Sequence, residues 1–151
     1  MLLDGIDHVA ILTKDTKRLC DWYGEMFGAV VEGQDVDGEN LKLTFLRIGP
    51  HTEFNIFEIE GNDESARQTP MFGRGRIDHI GLRASSLENF ELLRDRLIAC
   101  GATDGFVTDF GPLLSLFFRD PDGLEGEVCT PNPDARPGVI NPPGTPATRY
   151  C

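Results

Sequence analysis

Basic residues are scarce in this chain. Its 151 residues include 14 lysines and arginines against 25 aspartates and glutamates, so the formal net charge at pH 7 is −11. Proteins that bind nucleic acids or anionic membrane surfaces need a basic face to neutralise phosphates. The composition therefore argues against both kinds of partner.

Long apolar runs and paired cysteine motifs are also missing. No apolar run approaches the ~20 residues that a membrane-spanning helix needs, and the first residues lack the basic stretch and apolar core of a signal peptide. The four cysteines show no Cys-x-x-Cys spacing. We therefore expect reduced thiols and a cytoplasmic protein.

Two halves of the sequence repeat each other. The stretch IDHVAI at residues 6–11 returns as IDHIGL at residues 77–82, 71 positions later, and each copy carries one histidine. Residues 41–55 lie over residues 113–127 without a gap, at an offset of 72. Recurrence at a nearly fixed offset indicates two copies of one supersecondary unit.

Each copy predicts the element order β-α-β-β-β, because short apolar runs surround one segment with helical spacing. We therefore predict an α+β protein in which two tandem modules form a curled mixed sheet around one concave site. The first copy predicts strands at 5–13, 29–32, 41–48 and 52–59, with a helix at 15–27 and a loop at 33–40. The second predicts strands at 76–84, 102–108, 113–119 and 125–130, with a helix at 87–99.

The domain boundaries follow from this pattern. The first module is expected at residues 1–60, a polar linker at 61–76, and the second module at 77–131. Residues 132–151 are rich in proline and glycine without apolar periodicity, and they predict an extended tail that packs on the body or frays.

The motifs together resemble a known family. Each module opens on an Asp-His pair, the first helix ends on Phe27-Gly28, and a turn at 120–123 (DPDG) precedes Glu127. This set is similar to the vicinal oxygen chelate superfamily, which includes glyoxalases, bleomycin-resistance proteins, methylmalonyl-CoA epimerases and extradiol dioxygenases. The resemblance covers about residues 5 to 131 and implies the paired-module fold. It implies much less about function, because one fold hosts different reactions.

The resemblance also implies a set of metal ligands. Each module of the family offers one ligand from its first strand and one from its last, and these positions carry over onto His8, Asn55, His79 and Glu127. The internal repeat supports the same assignment, since Asn55 lies over Glu127. Two imidazoles and one carboxylate suit a divalent ion of Fe, Mn, Zn, Ni or Co with open coordination positions. We therefore predict a metal site of His8, His79 and Glu127.

The fourth position departs from glyoxalases and epimerases, which carry glutamate where this chain has Asn55. An amide oxygen is neutral and a weak ligand. Glu53 lies two residues from Asn55 on the same predicted strand face and is the alternative source of a carboxylate. In the family the base is a glutamate at one of these last-strand positions, and Asn55 removes one of them. Glu127 would then be both ligand and base, or Glu53 or Glu125 must help, and Glu127 is the candidate catalytic residue.

Two functions remain open at this level. The first is a metal-dependent enzyme, a lyase or isomerase or a ring-cleaving oxygenase, that chelates a small substrate through adjacent oxygens. The chain shows no nucleotide, flavin or phosphate-loop motif, so such chemistry would come from the ion. The alternative is a metal-free antibiotic-sequestering protein of the bleomycin-resistance kind. Under either reading the family implies a small-molecule partner and a homodimer.

Overall fold

The computed structural model describes residues 2, 5–36, 40–67, 72–73 and 76–151. The chain divides into two compact units, Met1–Gln68 and Thr69–Cys151. Over its described residues, each unit contains a four-stranded mixed sheet and runs β-α-β-β-β. The predicted α+β class and the repeated order of elements are therefore confirmed.

The strands of unit 1 pair in the order β1-β4-β3-β2, with β1 parallel to β4 and the other pairs antiparallel. Its helix begins where the Asp15 side chain accepts a hydrogen bond from the Arg18 N–H, and it ends at Gly28, which has the left-handed φ of 72°. The elements are β1 (His8–Thr13), α1 (Thr16–Phe27), β2 (Val30–Val36), β3 (Leu41–Gly49) and β4 (Thr52–Ile59).

Unit 2 repeats this topology in the order β5-β8-β7-β6, again with one parallel pair, β5 with β8. Ser86 caps its helix by accepting from the Asn89 N–H. The elements are β5 (Ile80–Arg83), α2 (Leu87–Ala99), β6 (Val107–Asp109), β7 (Leu113–Arg119) and β8 (Glu125–Pro131).

One face of each sheet packs against the helix of its own unit and forms the core. In unit 1 the ring of Phe54 on β4 meets Tyr23 on α1 edge to face, with centroids 5.4 Å apart. Other fully buried apolar side chains include Leu19, Leu46 and Ile56 in unit 1, and Phe90, Leu97, Leu116 and Val128 in unit 2. Side chains alternate along a strand, so the residues between these core positions form the opposite face of each sheet.

Three strands differ from the predicted bounds by four residues or more, and β1 begins at His8 rather than at residue 5. The strand β2 was expected to end at Glu32, but it runs on to Val36 because it stays paired with β3 beyond a register shift between Val31 and Gly33. Of the predicted loop at 33–40, residues 37–39 lie outside the described residues. The strand β5 is four residues long, which leaves His79 immediately before it.

The third difference is β6, which starts at Val107 rather than at Ala102. A turn occupies the missing part, because the Thr103 hydroxyl accepts from the Gly105 N–H and Gly105 has a φ of 79°. Of the predicted linker at 61–76, residues 68–71, 74 and 75 lie outside the described residues.

The C-terminal tail packs on unit 2. An isolated β-bridge joins it to β6, where the Asp109 N–H donates to Thr145 (2.8 Å) and the Ala147 N–H donates to Val107 (3.0 Å). The edge strand β6 is thereby covered by the chain's own last residues. Across the described part of the chain, no helix is long and apolar enough to cross a membrane.

Candidate metal centre

The polar face of the unit 2 sheet carries the candidate site. Glu127 on β8 lies opposite Gly81 on β5 and Phe117 on β7, and Cys129 lies opposite Ser115. Paired residues share a face of the sheet, and alternate residues along a strand return to it. The β-pairing therefore gathers these side chains beside the predicted ligand Glu127.

His79 and Glu127 form the closest pair of candidate ligands. The Nε2 atom of His79 lies 3.6 Å from Oε2 of Glu127, and both side chains are largely shielded from solvent. The other ring nitrogen, Nδ1, lies 2.8 Å from Oδ1 of Asp78. A carboxylate at Nδ1 favours the tautomer that carries its proton there. The lone pair of Nε2 is then directed toward the side where Glu127 lies.

A buried hydroxyl orients the Glu127 carboxylate. The Ser115 side chain is fully buried, and its Oγ–H donates to Oε1 of Glu127. One carboxylate oxygen is therefore held by β7, while Oε2 remains on the side of His79. Ser115 was not among the predicted site residues, although the repeat places a leucine, Leu43, at its position in unit 1.

Cys129 lies beside this carboxylate, and its side chain is a thiol rather than a thiolate. Burial, and after it the negative charge of Glu127 and a hydrogen bond with it, raises the pKa of the Cys129 thiol to about 12. A thiol with this pKa is protonated at neutral pH. Near Cys129, a side chain at Gly81 would place its Cβ 3.5 Å from Oε2 of Glu127. The glycine leaves one side of the carboxylate open.

The equivalent positions of unit 1 keep the histidine but lose the carboxylate. Nδ1 of His8 lies 2.9 Å from Oδ2 of Asp7, which repeats the arrangement of Asp78 and His79. Asn55 stands opposite Ala10 and Phe45, in the register that Glu127 has in unit 2. Its Oδ1 atom is buried and has no hydrogen-bond partner among the described residues. Such an oxygen needs a donor or a cation to offset its desolvation.

Glu53 and His51 lie at the border of a cavity in unit 1. The cavity measures about 580 Å³, and its lining includes both residues together with Asp7 and Arg47. Glu53 and Asn55 lie on the same face of β4, as the period of the strand predicts. The alternate residues Phe54 and Ile56 are buried and belong to the core face. His51 is exposed and lies in the turn between β3 and β4.

The predicted ligands are thus distributed over both units. Unit 2 brings His79 and Glu127 together, whereas His8 and Asn55 belong to unit 1. Within the described residues of either unit, no three side chains of His, Cys, Asp or Glu gather closely enough to hold a metal ion. The three-ligand site of His8, His79 and Glu127 therefore stays a prediction.

The donor chemistry of these residues fits a divalent ion. Two donors at ~2.1 Å from one ion lie about 3 to 3.4 Å apart, and the observed 3.6 Å between His79 and Glu127 is close to this range. Each histidine has a carboxylate behind its far nitrogen, which is the outer-shell arrangement typical of metal-bound imidazole. The unpartnered oxygen of Asn55 is a further neutral donor.

Tandem β-α-β-β-β units that each begin with an Asp-His pair, with a carboxylate on the last strand of the second unit, define a recognisable class of paired-module proteins. Residues 5–128 match the Glyoxalase/Bleomycin resistance protein/Dioxygenase superfamily. The chain belongs to this family. The predicted membership of the vicinal oxygen chelate superfamily is therefore confirmed.

Individual relatives are distant in sequence. The chain is 27% identical over 129 residues to MhqA of Bacillus subtilis (strain 168), a protein named for a ring-cleaving dioxygenase activity. That match covers 82% of this chain and 39% of MhqA. The chain therefore spans about two fifths of the length of this curated relative.

Solved structures share the fold. A glyoxalase family protein from Enterococcus faecalis has a TM-score of 0.66 at 26% identity, covering 85% of this chain and 99% of its own. The glyoxylase/bleomycin resistance protein/dioxygenase domain from Frankia sp. EAN1pec has a TM-score of 0.70 at 22% identity, covering 87% and 95%. The fosfomycin resistance protein FosX from Listeria monocytogenes, in complex with Mn(II) and sulfate, has a TM-score of 0.61 at 20% identity, covering 89% and 98%.

Proposed function

We propose that this protein is a divalent-metal-dependent enzyme that binds a small substrate through two adjacent oxygens. The observation that carries the proposal is the pair of His79 Nε2 and Glu127 Oε2, 3.6 Å apart and each held from behind. Asp78 holds the imidazole, and Ser115 holds the carboxylate. Outer-shell partners of this kind orient metal ligands and raise their basicity.

A bound divalent ion supplies Lewis acidity toward the substrate oxygens and, as Fe(II) or Mn(II), also redox chemistry with oxygen. The protein groups do the positioning. His79 and His8 offer neutral nitrogens, and Glu127 offers a negative charge. The open side of Glu127 at Gly81 leaves room for a substrate beside the carboxylate. Glu127 is thus the proposed catalytic residue as well as a ligand.

Among the reactions of this family, ring-cleaving oxygenation fits the residues best. Two histidines with one carboxylate form the ligand set of non-haem Fe(II) oxygenases. Asn55 at the fourth position takes away a second carboxylate that could act as a base. The Phe117 ring meets the His79 ring edge to face at 5.3 Å and offers an aromatic wall for an aryl substrate. The similarity to MhqA supports the same direction.

A metal-exchange experiment separates the candidate functions. Protein purified without a histidine tag is reconstituted with Fe(II), Mn(II) or Zn(II), and oxygen uptake and ring cleavage are measured with catechol-type substrates. We expect activity with Fe(II) or Mn(II) and none with Zn(II), because Zn(II) has no redox chemistry. The His51→Ala variant is the matched control, since this histidine is exposed in a turn, and it should keep full activity.

Two results would contradict the oxygenase. Turnover that persists with Zn(II) would assign a lyase or isomerase instead. Protein that takes up no metal but binds a hydrophobic antibiotic tightly would be a sequestering protein, and the enzymatic proposal would be wrong.

A further inference from the structure

A second cavity adjoins the candidate site within unit 2. It measures about 350 Å³ and lies at the end of the sheet where Leu113 pairs with Pro131. The residues that line it are Gly81, Leu82, Arg83, Pro112, Leu113, Cys129 and Pro131. Small-molecule sites begin at about 300 Å³, so the cavity has room for a single substituted ring.

Gly81 lines the cavity and also lies opposite the candidate ligand Glu127. A Cβ at this position would lie 3.5 Å from Oε2 of Glu127 and 3.9 Å from the sulfur of Cys129. Because glycine has no side chain, nothing on β5 separates the Glu127 carboxylate from the cavity. A substrate whose oxygens lie beside Glu127 would therefore extend along β5 into this space.

Among the described residues, Arg83 is the one cationic side chain that lines the cavity. It is exposed, it lies two residues beyond Gly81 on the same strand face, and it has no ion-pair or hydrogen-bond partner among the described residues. Residues two apart on a strand are ~6.6 Å apart. This spacing is comparable to the span of a benzene ring that bears chelating oxygens at one end and a substituent at the other.

We propose that the cavity binds the carboxylated end of a single-ring, oxygen-chelating substrate, with the Arg83 guanidinium paired to the substrate carboxylate. The proposal rests on the proposed function, because it takes the chelating oxygens to lie beside Glu127. A guanidinium binds a carboxylate through two parallel hydrogen bonds. A single cation balances one negative charge, so a monoanionic carboxylate fits this lining better than a dianionic phosphate beside Glu127.

The test compares two ligands that differ only in the carboxylate. Mn(II)-loaded protein is titrated by calorimetry with 3,4-dihydroxybenzoate and with catechol. We expect the first ligand to bind about tenfold more tightly, the effect of one charge-assisted pair. Arg83→Leu introduces the residue that unit 1 has at the equivalent position of the repeat, which is Leu12. This variant should abolish the preference and leave the affinity for catechol unchanged.

Arg119→Leu is the matched control. Arg119 is also exposed and belongs to the same sheet face. In the strand register it lies opposite Glu125, at the end of β7 and β8 that is far from the cavity. The preference should persist in this variant. Arg83→Gln repeats the main test with a polar side chain, and thermal unfolding verifies that each variant is folded.

The possible failures are distinguishable. Equal affinities for the two ligands in the wild type, a preference that survives Arg83→Leu and Arg83→Gln, or its loss in Arg119→Leu alone would overturn the carboxylate subsite. Failure of both ligands to bind metal-loaded protein would overturn the proposed chelating function, and the subsite with it.

Discussion

The two units share one backbone design but differ in what they place on the polar face of the sheet. Asn55 in unit 1 and Glu127 in unit 2 have the same neighbours in register, a small residue on the parallel strand and a phenylalanine on the antiparallel strand. Around them, Leu43 and Phe57 of unit 1 replace Ser115 and Cys129 of unit 2. At these equivalent positions the carboxylate, hydroxyl and thiol belong to unit 2, while unit 1 has an amide whose oxygen has no hydrogen-bond partner among the described residues.

The cores differ in a compensating way. In unit 1 the paired residues Leu46 and Phe54 are both fully buried, with the large ring on β4. In unit 2 the equivalent pair is Phe118 and Gly126, with the ring on β7. One aromatic ring therefore fills this part of the core in each unit, but it comes from β4 in unit 1 and from β7 in unit 2. The register survives because total volume across the pair, rather than either residue, must fill the core.

Adding one methyl group at Gly126 should have the largest effect on folding. A Cβ there would lie 2.2 Å from the Phe118 ring, so Gly126→Ala overpacks the core. We expect a loss of about 3 kcal/mol in the free energy of unfolding, at the upper end of overpacking effects. Urea unfolding of the full chain measures it.

The unit 1 arrangement provides the rescue. Phe118→Leu in the Gly126→Ala background removes the clash and should recover part of the loss. Gly49→Ala is the control, because a Cβ at Gly49 would meet open space. Equal stabilities of Gly126→Ala and Gly49→Ala would show that the two cores are not arranged as described.

Removing the Ser115 hydroxyl should have the next largest effect, on metal affinity. Ser115→Ala frees Oε1 of Glu127, and loss of an outer-shell partner weakens metal binding about tenfold or more. Titration with Mn(II) measures the change. Thr44→Val removes another fully buried hydroxyl, one that contacts Gln34 in unit 1, and it should not alter the Mn(II) affinity. An unchanged affinity in Ser115→Ala would mean that the hydroxyl does not orient a ligand.

The smallest expected effect is on stability, and it concerns a contact at the start of helix α1 that helix α2 lacks. In unit 1, Glu58 accepts a hydrogen bond from the Thr16 N–H at 2.8 Å, and the hydrogen bonds from Thr16 lower the pKa of this carboxyl below its usual 4.5. The equivalent positions in unit 2 are Thr130 and Leu87, which cannot make this charged contact. We expect Glu58→Gln to lower the free energy of unfolding by about 1 kcal/mol at pH 7, since the site is partly solvated.

The pH dependence has a definite sign. A carboxyl whose pKa is lowered in the folded state stabilises it fully above the unfolded pKa, and the contribution disappears as the pH falls through the folded pKa. The difference between wild type and Glu58→Gln should therefore be constant from pH 7 to about pH 5 and then decrease as the pH falls through the lowered folded-state pKa of Glu58. A difference that grows toward acid pH would contradict the contact.

Much of the fold can be predicted from the sequence because the two units repeat the same pattern. Helix α2 and strand β7 begin and end where their patterns indicate, because caps and apolar alternation mark both ends. The errors at β2 and β6 have local causes. Gly33 lies at a register shift inside a strand rather than in a loop, and Thr103 closes a turn through its side chain. Neither effect can be read from apolar periodicity.

For the site, the alternation of side chains along a strand puts Glu127 and Cys129 on one face of β8, and Glu127 lies beside His79, the other candidate ligand of unit 2. The contact of Ser115 was missed because it depends on a neighbouring strand and on a side-chain rotamer. Its signal was nevertheless present in the repeat, where a serine replaces a leucine at a buried position next to the candidate ligand.

The affinity for Mn(II) of wild type, Glu127→Ala and Asn55→Ala tests the central claim most directly, namely that unit 2 supplies the anionic ligand of a metal site. We predict about one ion per chain in the wild type, a loss well beyond the ~10–100-fold effect of an outer-shell change in Glu127→Ala, and a change of only a few-fold in Asn55→Ala, because a neutral amide is a weak ligand. Equal losses in the two variants, or no metal binding by the reconstituted wild type, would contradict the account.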